Sequence, residues 1–196
     1  MRVIAGKYRS QPLISPKGRG TRPTSDRLRE TLFNVIAPRV QDAVFADLFA
    51  GTGAVGIEAI SRGARLAYFA ENAKVPLEAL RHNLDRLQIR DQAIVDPAGV
   101  MPLLRRLLRQ EVLLDLIFLD PPYQDQLAYE SVLTFLAEHA ILQVGAIVVV
   151  EHSRRYCLPK LNLQLQPYRR IEQGEAALTF FHCNANTASP RSSDGD

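Results

Sequence analysis

Short apolar runs alternate with amphipathic stripes along most of this chain, and no other feature constrains its fold as strongly. Val44-Phe45-Ala46-Asp47-Leu48, Leu66-Ala67-Tyr68-Phe69-Ala70, Ala93-Ile94-Val95, the run from Leu113 to Leu119, and Gly145-Ala146-Ile147-Val148-Val149-Val150 read as five strands. Helical spacing fills the gaps. The segment after the first strand reads as a helix to about Arg62, stopped at Gly63. Leu77, Leu80, Leu84 and Leu87 form one stripe, and Val100, Leu103, Leu104, Leu107 and Leu108 another. A further helix runs from about Gln126 to His139. Strands apolar throughout are buried on both faces, and strand–helix repetition joins them in parallel. The end breaks the pattern. Residues 163–171 and 176–182 read as two strands joined across Gly174 without a helix, so the sheet ends antiparallel.

The first residues have a different character. Arg2 to Gly6 and the stretch to Leu13-Ile14 suggest a short hairpin ahead of a Pro/Gly-rich segment. Arg2, Lys7, Arg9, Lys17, Arg19, Arg22, Arg27 and Arg29 place eight of the 24 cationic side chains here, opposed within that stretch by Asp26. Pro12, Pro16, Gly18, Gly20 and Pro23 interrupt them, so the segment reads as a flexible basic arm suited to nucleic acid rather than as a charged helix face. Thr24 or Ser25 can cap a helix carrying Leu28, Leu32, Val35 and Ile36 on one face and ending at Pro38. The division expected is a basic hairpin and arm over 1–23, one domain over 24–183, and a Ser/Asn/Pro/Gly-rich disordered tail over 184–196. Cys157 and Cys183 form no CxxC pair, and His82, His139, His152 and His182 show no metal spacing, so no metal is expected. Two cysteines, no leader at the start and no apolar run of membrane-spanning length point to the cytoplasm.

Two loops carry the chemistry. Asp47-Leu48-Phe49-Ala50-Gly51-Thr52-Gly53-Ala54-Val55-Gly56 follows the first strand and opens a helix, and Glu71 stands after the next strand. Gly51, Gly53 and Gly56 satisfy G-x-G-x-x-G, which alone would suggest a dinucleotide and an oxidoreductase. An acid at Glu71 bonds ribose hydroxyls in either kind of cofactor. Asp47 discriminates, because a carboxylate there opposes a pyrophosphate and suits the cationic ammonium and sulfonium of S-adenosylmethionine. The second loop is Asp120-Pro121-Pro122-Tyr123, at the end of the fourth strand. Proline fixes φ and lacks an N–H, so neighbouring carbonyls stay available as acceptors. An exocyclic amino group can donate to Asp120 and to such a carbonyl while Tyr123 stacks on the base. Together the loops suggest methylation of an exocyclic nitrogen of a nucleobase.

With those residues in place, the chain resembles the bacterial small-subunit ribosomal RNA guanine-N2 methyltransferases, the RsmD family, from Arg2 to about His182. Arg2-Val3-Ile4-Ala5-Gly6-Lys7-Tyr8-Arg9 is similar to the family's start, and the segment from Thr21 to Asn34 to its most distinctive stretch. The resemblance implies a Rossmann-like S-adenosylmethionine-dependent fold, a seven-stranded, mostly parallel sheet with an antiparallel last strand. It implies transfer of methyl to guanine N2 of 16S ribosomal RNA, in an assembled or assembling small subunit; the chain is expected to act as a monomer. The site residues that follow are Asp120, Pro121, Pro122 and Tyr123 for catalysis. Asp47, Phe49, Gly51, Gly53, Glu71, Asn72, Asp96 and Ala98 are the cofactor set, and Arg2, Lys7, Arg9, Arg22, Thr24 and Arg27 the RNA set. Where the family usually has Asn or Asp before Ala after the third strand, this chain has Asp96-Pro97-Ala98, with proline at the polar position. The competing readings are a DNA amino-methyltransferase, a nucleotide-dependent oxidoreductase, and a non-catalytic RNA-binding assembly factor.

Overall fold

The computed structural model describes residues 1–15, 25–161 and 164–184. Arg22, Thr24 and the tail beyond Asn184 lie outside the described residues. Among the described residues seven strands form one sheet in the order β3-β2-β1-β4-β5-β7-β6. They are β1 (Val44–Leu48), β2 (Leu66–Ala70), β3 (Ala93–Asp96), β4 (Leu114–Leu119), β5 (Leu142–Ser153), β6 (Leu165–Gln173) and β7 (Ala176–Cys183). The first five run parallel, and β7 lies antiparallel between β5 and β6. β1 and β4 are neighbours although the chain leaves one towards β2 and the other towards β5. They therefore flank the topological switch point, where open α/β sheets bind ligands beyond the carboxyl ends of their strands.

Helices cover both faces. α1 (Asp26–Ile36), α2 (Ala54–Ser61) and α3 (Lys74–Arg86) pack on one side, and α4 (Val100–Arg109) and α5 (Gln126–Glu138) on the other. The Ser25 hydroxyl accepts the Leu28 N–H at 3.1 Å and caps α1. α4 shows how the apolar spacing acts: it buries Val100, Leu103, Leu104 and Leu107, each stabilising by about 1.5–3 kcal/mol relative to exposure. β5 departs from the expected run. It extends through Glu151, His152 and Ser153, three polar residues that pair with Leu178, Ala177 and Ala176 of β7.

The first fifteen residues share this core. A single antiparallel bridge joins Arg2 and Pro12, and Val3 and Leu13 are buried. Buried Glu58 of α2 holds the segment, accepting the N–H groups of Ile4 at 2.7 Å and Ala5 at 3.0 Å together with Arg62 Nε at 2.7 Å. Arg29 is buried beside it, with Nε 3.9 Å from Glu58 Oε2, and donates to the Arg2 carbonyl and to Asp26 Oδ1. Burial lowers the Arg29 pKa, and Glu58 and Asp26 act against that shift. Arg29 belongs to the basic run in sequence, but in the fold it braces the N-terminal segment. Glu58→Ala would remove the acceptor shared by two backbone amides and Arg62, and would leave buried Arg29 to Asp26 and the Arg2 carbonyl. The expected loss is about 3–5 kcal/mol, seen as a fall in Tm of roughly 10 °C in a thermal melt.

Candidate active site

The glycine turn is built by a left-handed backbone at three positions: Phe49 (φ 68°), Gly51 (φ 55°) and Gly53 (φ 80°). For a ring-bearing residue such a φ is strained. At Phe49 it turns the chain out of β1, and the side chain lines the cleft beyond. A Cβ placed on Gly51 would meet nothing within 4 Å, so the backbone is open to a ligand there. Gly56 serves packing instead, since a Cβ would lie 2.3 Å from the Phe69 ring.

Asp47 is 1 % exposed, and its Oδ2 accepts the Gly56 N–H at 2.8 Å, in the first turn of α2. Burial pushes its pKa up to about 7, against the lowering effect of the Gly56 bond and with a further push from Glu71. A buried carboxylate half ionised near neutrality gains most from a nearby cation. Glu71 accepts the Gly51 N–H at 2.8 Å on one oxygen and the Ala73 N–H at 2.7 Å on the other, which ties the glycine turn to the end of β2. A carboxylate oxygen has room for a second donor such as a ribose hydroxyl. Phe49, Glu71, Asn72, Gly99 and Met101 line a cleft of ≈ 250 Å³. A cationic amino-acid end at Asp47, ribose at Glu71 and adenine against this cleft fit S-adenosylmethionine.

Asp96 is engaged on both oxygens, with the Ala98 N–H at 2.8 Å and Arg106 Nη1 at 3.1 Å. It shapes the Asp96-Pro97-Ala98 turn from below. Ala98 is exposed beside the cleft, and Asn72 stands over Gly99, its Nδ2 3.3 Å from where a Cβ on that glycine would sit.

Leu48 pairs with Leu119, so Asp120 emerges beside Phe49 and the two loops meet at the switch point. Pro121 is buried, Pro122 exposed and Tyr123 half-buried. A residue that sequence reasoning passed over supports this loop. Tyr129 of α5 is 0 % exposed, and its hydroxyl lies 3.3 Å from the Pro121 carbonyl and 3.1 Å from the Glu151 carbonyl, which share its proton. Burial first, and then the charges of Asp120 and Tyr123, raise the Tyr129 pKa, so it stays a donor. Its sequence signal was a hydroxyl-bearing ring on the apolar face of α5, beside Val132, Leu133 and Leu136. The Pro122 carbonyl accepts the Asp125 N–H at 2.8 Å. With the Pro121 and Pro122 carbonyls so engaged, two of the loop's four, the Asp120 side chain is the candidate acceptor for a substrate amine.

Of the candidate RNA residues, Arg2, Lys7, Arg9 and Arg27 are exposed. Arg2, Arg9 and Arg27 border a groove of ≈ 430 Å³ that also contains Asp26 and Glu30. Asp26 is engaged by Arg2 and Arg29, not by Arg27. Among the described residues no helix is long and apolar enough to cross a membrane, and no metal-ligating cluster of His, Cys, Asp or Glu is present.

This sheet order, with an acid at the end of β1, another after β2 and Asp-Pro-Pro-Tyr after β4, defines a Rossmann-like methyltransferase. Comparison with known proteins narrows the class. The family model described as conserved hypothetical protein 95 matches residues 1–182. Ribosomal RNA small subunit methyltransferase D of Escherichia coli is 32 % identical over 185 residues, covering 94 % of this chain and 91 % of that protein. The protein of the same name from Haemophilus influenzae is 37 % identical over 155 residues, 79 % of each chain. The solved structure of yhhF from Escherichia coli superposes with a TM-score of 0.81 at 32 % identity, covering 94 % of this chain and 98 % of that one. The chain belongs to this family, the RsmD family of methyltransferases.

Proposed function

We propose that this protein transfers a methyl group from S-adenosylmethionine to the exocyclic N2 of a guanine in 16S ribosomal RNA, acting as a cytoplasmic monomer on an assembled or assembling small subunit. The observation that carries the reading is the meeting of the Asp120-Pro121-Pro122-Tyr123 loop with the Asp47–Gly56 turn across adjacent β1 and β4. The names of the ribosomal RNA methyltransferases to which the chain is similar support the substrate class.

When bound, S-adenosylmethionine supplies a methyl on a positively charged sulfur, which a nitrogen lone pair displaces. Asp47 would hold the ammonium end, Glu71 the ribose, and Phe49, Asn72 and the turn at Ala98 the adenine. Guanine N2 is a poor nucleophile because its lone pair is delocalised into the ring. Asp120 accepts an N2–H and favours a tetrahedral nitrogen whose lone pair points at the methyl, while Tyr123 stacks on the base. Positioning therefore carries most of the rate. After transfer the nitrogen holds one proton too many, which passes to Asp120 or to water. A base paired or stacked in the RNA flips out first. Arg2, Lys7, Arg9, Arg22, Thr24 and Arg27 contact the RNA backbone.

The test is transfer of labelled methyl to unmethylated small subunits, their naked RNA and duplex DNA, with the product nucleoside identified by mass. N2-methylguanosine from the subunits is expected. Methyladenine or methylcytosine in DNA would overturn the substrate, and no transfer to any acceptor would overturn the activity. Tyr129→Phe probes the support of the loop: two buried carbonyls lose their donor, at about 1–3 kcal/mol. We expect kcat to fall about tenfold as Asp120 drifts, with cofactor affinity unchanged by calorimetry.

A further inference from the structure

β5 does not stop at the level of the reacting loop. Leu119 pairs with Val150, so Asp120 lies beside Glu151, and the strand continues through His152 to Ser153, about 7 Å farther along. β7 holds that extension, with Ser153 paired to Ala176 and the buried His152 ring 2.8 Å from the Thr179 hydroxyl. The chain then continues as Arg154-Arg155-Tyr156-Cys157-Leu158-Pro159-Lys160-Leu161, with three cations and no acid. Arg154 pairs with Glu175 at 3.0 Å. Arg155 and Lys160 are exposed and form no ion pair with another described residue. Tyr156 turns inward, its ring centroid 4.9 Å from that of Tyr129, whose hydroxyl holds the Pro121 and Glu151 carbonyls. Arg155, two residues past Ser153, thus stands at the sheet edge where Asp120 emerges, while Lys160 lies farther along the same segment as it returns toward the start of β6 at Leu165. The inward residue Tyr156 rests on the tyrosine whose hydroxyl holds the Pro121 carbonyl.

We propose that the 154–161 loop is a second RNA contact. Arg155 grips a backbone phosphate close to the target base and Lys160 one farther along the strand, and Tyr156 keeps that grip in register with the Asp120 loop. The inference rests on the reading of the site as an RNA methyltransferase and adds to the N-terminal cations already assigned. Phosphate contacts fix where a strand lies without reading its sequence. A base that must present one lone pair to one methyl gains from having its flanking backbone fixed.

The experiment uses the full chain with Arg155→Ala and Lys160→Ala combined. The control is the pair Arg65→Ala and Arg90→Ala, two exposed cations ahead of β2 and β3 at the opposite edge of the sheet. Methyl transfer to unmethylated small subunits is measured against subunit and salt concentration, and S-adenosylmethionine binding by calorimetry. For the loop variant we expect KM for subunits to rise about tenfold. Its dependence on log salt should become shallower by about 1.4, at ~0.7 per phosphate contact on a single strand. Cofactor affinity should be unchanged and the control should behave as wild type. Tyr156→Ala should lower kcat, with Tyr156→Phe restoring it. An unaltered KM and salt slope in the loop variant overturns the proposal, and so does an equal loss in the control, since bulk charge would then explain both. A Tyr156→Ala chain with wild-type kcat overturns the coupling. If the wild-type chain methylates no subunits, the parent reading has failed, and that result precedes any substitution.

Discussion

Asp120→Ala is expected to lower methyl transfer by about 10³-fold or more while S-adenosylmethionine binds as before. Asp120 follows the last residue of β4, whereas the groups that fit the cofactor come from β1, β2 and the turn after β3. On the proposed mechanism its removal takes away the acceptor that orients the amine and leaves the cofactor cleft intact. The defect should therefore appear in kcat, with cofactor affinity held in calorimetry. Asp120→Asn keeps one acceptor oxygen but turns the other position into a donor, so partial activity is expected. Wild-type turnover in the alanine variant would remove Asp120 from the mechanism.

The second large effect is at Asp47, where stability and function are expected to move in opposite directions. The group titrates at about 7 in the fold, well above an ordinary aspartate, so the native state holds its proton over a range where the unfolded chain has lost it. The stability that this proton confers is complete below about pH 4 and is lost as pH rises through 7. Asp47→Asn cannot ionise, and its side-chain oxygen can still accept from Gly56. At pH 8 the cofactor-free variant should be more stable than wild type by on the order of 2–4 kcal/mol, and at pH 4 nearly equal to it. Binding should follow the opposite trend. The variant loses roughly 10²-fold in cofactor affinity, and wild-type affinity weakens as pH falls through 7. Thermal melts at both pH values and calorimetry across the range read out both halves. A variant that binds S-adenosylmethionine as wild type does would show that Asp47 only caps α2.

What the chain discloses before folding depends on whether a residue's partners are local. β2 ends where its apolar run meets Glu71, because burial on both faces leaves no room for a polar side chain without a partner. β1 ends where the left-handed backbone at Phe49 turns the chain out of the sheet. β5 was legible only to Val150. Glu151 and His152 read as a strand's end, yet both are buried and paired with β7, and His152 meets Thr179, 27 residues on. Arg29 looked like one more cation of a basic arm, and only the fold brings Glu58 beside it. Tyr129 sat on an apolar stripe, where a ring is ordinarily core; the two carbonyls that give its hydroxyl a purpose come from other segments. The glycine turn and the Asp-Pro-Pro-Tyr loop were plain because each carries its geometry within a few consecutive residues.

The position of β7 has a consequence for how this protein is made. Among the described strands it is the last to leave the ribosome, yet it lies between β5 and β6 and fixes the end of β5. The Glu151 carbonyl that anchors Tyr129, and through it the Asp120 loop, belongs to that end. A nascent chain that has passed Tyr123 already contains the residues assigned to catalysis and to cofactor binding. It gains a supported reaction site only when the residues up to Cys183 have emerged and inserted. The bracing of this loop thus waits for the emergence of β7, and a truncated chain that stops after β5 would present the glycine turn without a braced Asp120 loop.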